Sequence, residues 1–188
     1  MSDRYRDFAS LAAEQCENVD FRIRETWRPK AKAVVIAPHG GSIEWQTSAI
    51  AEAIAGMQHS FYTFEGLKKN SNRDLHITSH NFDEPRALKL VAAHKYVVAI
   101  HGCAGRGEIA LLGGLDKQLV RCASTTIEQH GIECRTVGHA FLGNNRENIC
   151  NRGRTGAGLQ LELTRALRRS GVRSSLVLAV QEALQRVS

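Results

Sequence analysis

The sequence predicts a single α/β domain over residues 1–188, built on a mixed, mainly parallel sheet flanked by helices. Two observations carry this. Short apolar runs alternate along the chain with segments of helical periodicity. Two of those runs, VVIAPHG at 34–40 and VVAIHG at 97–102, are the near-continuous apolar type that is covered on both faces. A chain of 188 residues with 43% hydrophobic and 23% charged residues is long enough to bury one sizeable core.

The elements follow in order. A helix is expected around residues 6–17 and a strand in DFRIRETW at 20–27. KAVVIAP at 32–38 is the next strand. A helix from about 44 to 56 places Ala49, Ile50, Ala53, Ile54 and Met57 at helical spacing, with Gly56 as its stop. FYTFEGL at 61–67 and LHITSHNF at 75–82 read as strands. EPRALKLVAAH at 84–94 reads as a helix with Pro85 in its first turn, where a missing N–H costs nothing. YVVAIHGC at 96–103 is a strand, 115–131 a helix ending at a glycine, and IECRTVG at 132–138 a strand. A Gly/Asn/Arg-rich stretch covers 143–158. GLQLEL at 158–163 is the last strand, and 175–187 closes the chain as an amphipathic helix.

The bulk numbers exclude several classes. No apolar run approaches a membrane span. The charged start, MSDRYRDFAS, lacks the apolar stretch of a signal peptide, so a cytoplasmic product is expected, with release by cell lysis still open. Five cysteines without a C-x-x-C argue against a disulfide framework or a thiolate zinc knuckle. The net charge of +6 favours an acidic partner. An aromatic content of 6%, with no basic stripe interleaved with stacking residues, argues against nucleic acid as that partner.

Chemistry concentrates where the two matched strands end. Each runs into histidine and then glycine: Pro38-His39-Gly40-Gly41 and His101-Gly102. If the strands lie parallel in one sheet, both histidines emerge at the edge where open α/β sheets place ligands. The glycines permit a sharp turn, and Glu44 can swing back to the same point. His39, Glu44 and His101 then form a two-histidine, one-carboxylate set, the ligand count of catalytic zinc. The competing reading is that both histidines are satisfied core or surface residues.

Two further features concern binding and proton transfer. In GLQLELT, Leu159, Leu161 and Leu163 share one face and Gln160, Glu162 and Thr164 the other. Glu162 is either a residue on a solvated edge strand or a general base in a site. NNRENICNRGRTGAG at 144–158 gathers Arg146, Arg152 and Arg154 among glycines and asparagines. Arginine forks grip carboxylates in bidentate geometry, and Asn151 with Arg152, just ahead of the Glu162 strand, are placed to bind one. Arg168, Arg169 and Arg173 read as solvated surface. GRTGAG precedes a strand instead of opening a helix, so the dinucleotide fingerprint fails. His76 and His80 read as structural residues near the cleft, and Cys103 as a small buried residue more than a nucleophile.

Taken together and in order, PHGGSIE, LHITSHNFDEP, AIHGC, GLD, NICNRG and GLQLEL resemble the poly-γ-glutamate hydrolase family, found in bacteriophages and in prophage-type bacterial genes. The match spans about residues 30–165. The resemblance implies a compact fold related to the zinc carboxypeptidases (phosphorylase/hydrolase-like), with N-formylglutamate amidohydrolases as distant kin. It implies zinc held by His39, Glu44 and His101, Glu162 as the catalytic carboxylate, and carboxylate recognition around Asn151, Arg152 and Arg154. It also implies that the turn accommodates a longer spacing than the H-x-x-E of classical carboxypeptidases.

Three functions are thereby in play. The first is a zinc-dependent hydrolase of γ-glutamyl amide bonds acting on poly-γ-glutamate. The second is an amidase or deacylase acting on a small acidic N-acyl amino acid. The third is a phage-type nucleic-acid-binding accessory protein.

Overall fold

The computed structural model describes residues 3–187. Its frame is one seven-stranded sheet. The strands are β1 (Phe21–Thr26), β2 (Ala33–Gly41), β3 (Ser60–Gly66), β4 (Tyr96–Cys103), β5 (Ile109–Gly113), β6 (Glu133–Arg135) and β7 (Leu159–Thr164), in spatial order β1-β3-β2-β4-β7-β5-β6. Pairings β2–β3, β2–β4, β4–β7 and β5–β6 are parallel. Pairings β1–β3 and β5–β7 are antiparallel. The sheet is mixed and mainly parallel, as the alternation of elements predicts.

Among the described residues six helices flank it: α1 (Phe8–Ala12), α2 (Thr47–Ala55), α3 (Pro85–Ala92), α4 (Lys117–Gln129), α5 (Arg165–Arg169) and α6 (Arg173–Val187). One face of the sheet carries Val35, Ala37, Val98, Ile100, Leu161 and Leu163, packed under α2, α4 and α6. The other carries Val34, Ile36, Val97 and Ala99, packed under Leu11, Leu75, Ile77, Phe82 and Leu90. The central strands are therefore buried on both sides, which explains their unbroken apolar runs. Local chemistry sets the helix starts. The Glu84 carboxylate accepts from the Ala87 N–H at 2.8 Å ahead of Pro85, and the Asp116 carboxylate accepts from the Leu119 N–H at 2.9 Å.

Several expected elements differ. Residues 75–82 are not a strand: a 3₁₀ turn, Asn72–Leu75, leads into irregular backbone. The alternation there is real, since Leu75 and Ile77 are buried, but it points side chains into the core from a segment lying over the sheet. The Thr78 N–H and His76 Nδ1 bond the Asp3 carboxylate instead of a neighbouring strand. The helix expected at 6–17 is only α1, and the strand at 132–138 contracts to β6. The helix expected from 44 begins at Thr47 and leaves Glu44 in a turn, with Met57 exposed beyond its end. Strand β5 and the short α5 were not anticipated; IALLG is a five-residue apolar run whose periodicity decides nothing. All five cysteines are free, and among the described residues no helix is long and apolar enough to cross a membrane.

Candidate metal centre

Strands β2 and β4 are parallel neighbours, with Ala33–Ile36 registered against Tyr96–Ala99. Continued alternation would send His39 to the face of Ala33, Val35 and Ala37, away from His101. A bulge prevents this. Against β3, Ala37 pairs with Thr63 but Gly40 with Glu65, so β2 spends one extra residue between them. The bulge re-aims His39 onto the face that carries Ile36 and His101. Its ring then lies 6.2 Å from that of Phe82 and 4.9 Å from that of His101, centroid to centroid.

The turn after the bulge returns Glu44. Gly41 has φ +61, and the Glu44 N–H donates to the His39 carbonyl at 2.9 Å. At Gly40 a Cβ would fall 2.2 Å from Ser48 Oγ and 2.3 Å from Thr63 Oγ1, so only glycine fits. The Glu44 carboxylate reaches across to β4 and accepts from the Gly102 N–H at 2.8 Å.

The donor atoms converge. His39 Nδ1 lies 3.1 Å from His101 Nδ1 and 3.4 Å from one Glu44 oxygen, and His101 Nδ1 lies 3.8 Å from the other. Ligand atoms on a tetrahedral zinc with bonds near 2.1 Å stand about 3.4 Å apart. The outer contacts set the tautomer. His39 Nε2 faces the Ile77 carbonyl at 2.8 Å, which can only accept, so the proton sits on Nε2 and the lone pair on Nδ1. His101 Nε2 lies 3.4 Å from Ser79 Oγ. Two ring lone pairs and a carboxylate aimed at one buried point repel one another, and a cation is the species that satisfies all three. The donor set of imidazole, imidazole and carboxylate fits zinc. Among the described residues this is the group of His, Cys, Asp and Glu whose ligand atoms gather closely enough to hold a metal.

The same crowding shifts the pKa values of the group. Burial first, and then the proximity of His39, pushes His101 down to about 3, so its imidazole is neutral and its lone pair available. Burial alone would raise Glu44, but His39, His101 and the Gly102 amide outweigh it and hold the carboxyl at about 2. Burial followed by His39 pushes His76 down to about 4. His76 stacks on His39 with centroids 4.0 Å apart and lines the cleft beside His80.

Glu162 sits on β7 in register with His101 and lines the same cleft of 560 Å³. Burial, then the charge of Glu44, pushes its carboxyl well above the usual carboxylate range, with Arg168 acting in the opposite direction. Cys103 is pushed up to about 11 by burial and then by Glu162, so its thiol stays protonated and is no nucleophile.

The arginine loop is placed differently from expectation. Asn151 is buried, and its amide is engaged by the backbone: Nδ2 donates to the Gly143 and Asn145 carbonyls, and Oδ1 accepts from the Leu115 and Gly158 N–H groups. It shapes the 143–145 segment, which lines the cleft, without lining it itself. Arg152 faces Glu147 at 3.4 Å, and neither it nor Arg154 is among the cleft residues. Arg73, not singled out in the sequence, does line the cleft; a lone arginine between polar residues carries no signal of its own.

Arg168 is a second departure. It is 7% exposed, not solvated, and its guanidinium donates to the carbonyls of Leu163, Trp45 and Cys103. It fits beneath Gly102, where a Cβ would meet it at 2.6 Å.

The chain is 39% identical over 168 residues to the UPF0714 protein YmaC of Bacillus subtilis (strain 168), covering 88% of this chain and 71% of that one. It is 35% identical over 172 residues to the UPF0714 protein YndL of the same organism, covering 89% and 66%. The SPβ prophage-derived UPF0714 protein YoqZ is 34% identical over 170 residues, covering 89% of this chain and 61% of its own. Among solved structures, a bacteriophage poly-γ-glutamate hydrolase superposes with a TM-score of 0.95 at 26% identity, covering 99% of this chain and 98% of that one. A zinc-free apo form of YndL superposes with a TM-score of 0.92 at 28% identity, covering 99% of each. An N-formylglutamate amidohydrolase from Ralstonia eutropha JMP134, at 11% identity and a TM-score of 0.57 over 89% of this chain and 96% of that one, shares the fold. The sequence profile of the poly-γ-glutamate hydrolases matches residues 5–176, and with that span and the shared architecture the chain belongs to the poly-γ-glutamate hydrolase family.

Proposed function

We propose that this chain is a zinc-dependent hydrolase that cuts γ-glutamyl amide bonds, with poly-γ-glutamate as its substrate. The observation that carries the reading is the convergence of His39, Glu44 and His101 in one cleft with a fourth, unligated carboxylate, Glu162. The zinc-free form described for YndL and the bacteriophage hydrolase of the same fold support it.

Zinc bound there would polarise the scissile carbonyl and acidify an attacking water. The chain's own residues do the rest. His39 and His101 present Nδ1, and Glu44 one carboxylate oxygen. Ile77 and Gly102 hold His39 and Glu44 in that orientation. Glu162 takes the proton from the attacking water and returns it to the leaving nitrogen. A carboxyl raised by burial suits both halves of that task, because it gives the proton back as readily as it takes it. A divalent charge nearby draws its pKa down again, toward the working range. Asn151 acts on the substrate through the loop it braces, as a positioning residue.

The test is incubation with poly-γ-glutamate, with and without chelator, followed by sizing of the products. Shortening that chelator abolishes and zinc restores is the expected result. An intact polymer beside cleavage of a small acidic N-acyl amino acid would move the assignment to an amidase. A protein that purifies without zinc and does not take it up would overturn the reading.

A further inference from the structure

The cleft does not end at the metal centre. A second groove, of 450 Å³, continues from it and shares Glu44, Arg73, Gly102, Cys103 and Ala104 with the first. Its outer walls carry Trp45, Arg165 and Arg169. Arg165 and Arg169 come from α5, which begins directly after the β7 residue Thr164 and therefore starts at the mouth of the site. Among the described residues, no carboxylate pairs with Arg73, Arg165 or Arg169; the one contact of Arg169 is its guanidinium over the Trp45 ring at 5.7 Å. Arg168 also lines the groove but is buried, and three of its five N–H donors go to the Leu163, Trp45 and Cys103 carbonyls, so it contributes mainly positive charge. The carboxylate in the groove is Glu44, which faces the histidines. Arg73, Arg165 and Arg169 thus line one groove on exposed side chains, with no carboxylate paired to any of them among the described residues.

Resting on the function proposed above, we infer that this groove is an extended subsite, in which Arg73, Arg165 and Arg169 hold the pendant carboxylates of polymer residues lying beyond the bond that is cut. Guanidinium forks bind carboxylates bidentately, and three of them in a groove that opens on the candidate metal centre suit a substrate with one carboxylate per repeat. A nucleic acid would need several aromatic stacking surfaces, and the residues lining the groove include one aromatic ring, Trp45, with the Arg169 guanidinium over it.

The experiment is binding of fluorescently labelled poly-γ-glutamate to the full chain, followed by anisotropy, in chelator so that the polymer stays intact. R165A/R169A should weaken binding of the long polymer at least tenfold and flatten its salt dependence. Both residues are exposed, so folding should persist; circular dichroism checks this, and the charge-reversed R165E/R169E should weaken binding further. R121A, an exposed arginine on α4, serves as the control and should bind as wild type does. The loss should be larger for the long polymer than for γ-linked diglutamate. Wild-type affinity in R165A/R169A, or tighter binding of single-stranded DNA than of the carboxylate polymer, would overturn the inference. Failure of the hydrolase reading itself shows up separately, as wild-type protein that binds the polymer but leaves it uncut when zinc is supplied.

Discussion

His101 and Glu162 are register partners on the adjacent parallel strands β4 and β7, and both face the same cleft. Parallel partners project to the same side, and neighbouring strands lie about 4.8 Å apart, so the pairing alone carries the carboxylate to the face that His101 leaves. The Glu162 side chain has no hydrogen-bond partner among the described residues and no role in the packing of the leucine face. Glu162→Gln should therefore fold and keep its zinc while turnover falls about 10²–10⁴-fold, the range for losing a general base. Metal analysis beside a steady-state assay checks both halves; substantial turnover in that variant would remove Glu162 from the mechanism.

His39→Ala and His101→Ala should each abolish zinc uptake at stoichiometric metal, because two remaining donors do not complete a site. In the unaltered protein, binding that occurs only in the folded state adds to stability by mass action, so chelator should lower Tm and excess zinc restore it. Neither variant should show that shift. Calorimetry with and without metal reads it directly.

Gly40→Ala should damage the site without touching a ligand. Its Cβ would collide with Ser48 Oγ and Thr63 Oγ1, which hydrogen-bond each other at 2.9 Å across the bulge. Relief requires moving the β2 bulge or the start of α2, and either displaces His39 or Glu44. The expected cost is about 1–3 kcal/mol of stability, as for other overpacked sites, with zinc affinity reduced as well. Denaturant midpoints and a competitive zinc titration measure the two effects.

The meeting of His39 and His101 is legible in the sequence for a definite reason: two strands with the same ending, in a parallel sheet, bring those endings to one edge. The bulge was not legible, since one inserted residue changes the face of His39 without altering any periodicity. Glu162 was legible because its neighbours Leu161 and Leu163 fix which face it leaves. Arg168 was misplaced because an arginine between Leu167 and Arg169 reads as solvated, while its burial depends on three carbonyls from distant segments. Asn151 and Arg152 fall in a composition typical of ligand loops, yet the Asn151 amide is consumed by backbone groups, which only the folded loop reveals. The alternation at 75–82 reports burial faithfully and strand pairing not at all.

Arg168→Met should destabilise the protein by about 2–4 kcal/mol. The methionine replaces the buried stem but leaves the buried Leu163 carbonyl and the partly buried Trp45 and Cys103 carbonyls without their donor; an unpaired buried acceptor costs about 1–3 kcal/mol, and a partly buried one that water can reach costs less. These carbonyls belong to the Glu162 strand, the turn after Glu44 and the end of the His101 strand. Loss of their shared donor should therefore loosen the site as well as the fold. Urea unfolding gives the first effect. Faster zinc release to a chelator gives the second.

Glu65 supplies a pH test away from the metal. It is buried on β3, paired by Arg22 and Arg24 from β1, with Arg24 also bound to Glu52. Burial by itself would raise the Glu65 carboxyl, but the two guanidinium groups outweigh it and leave it below its ordinary value of 4.5. The unfolded chain therefore binds this proton more readily than the folded one. The pair's contribution is fully present above about pH 4.5 and is lost as pH falls through the lower folded value. At pH 7, Glu65→Gln should cost about 1–3 kcal/mol, between an exposed pair and a fully buried one because both arginines are partly solvated. The gap between the two proteins should narrow as the pH drops below 4.5, since the wild-type carboxyl then becomes protonated too. Chemical denaturation from pH 7 down to pH 3 follows that gap, and a difference that stayed constant across the range would show that packing, not charge, holds Glu65 in place.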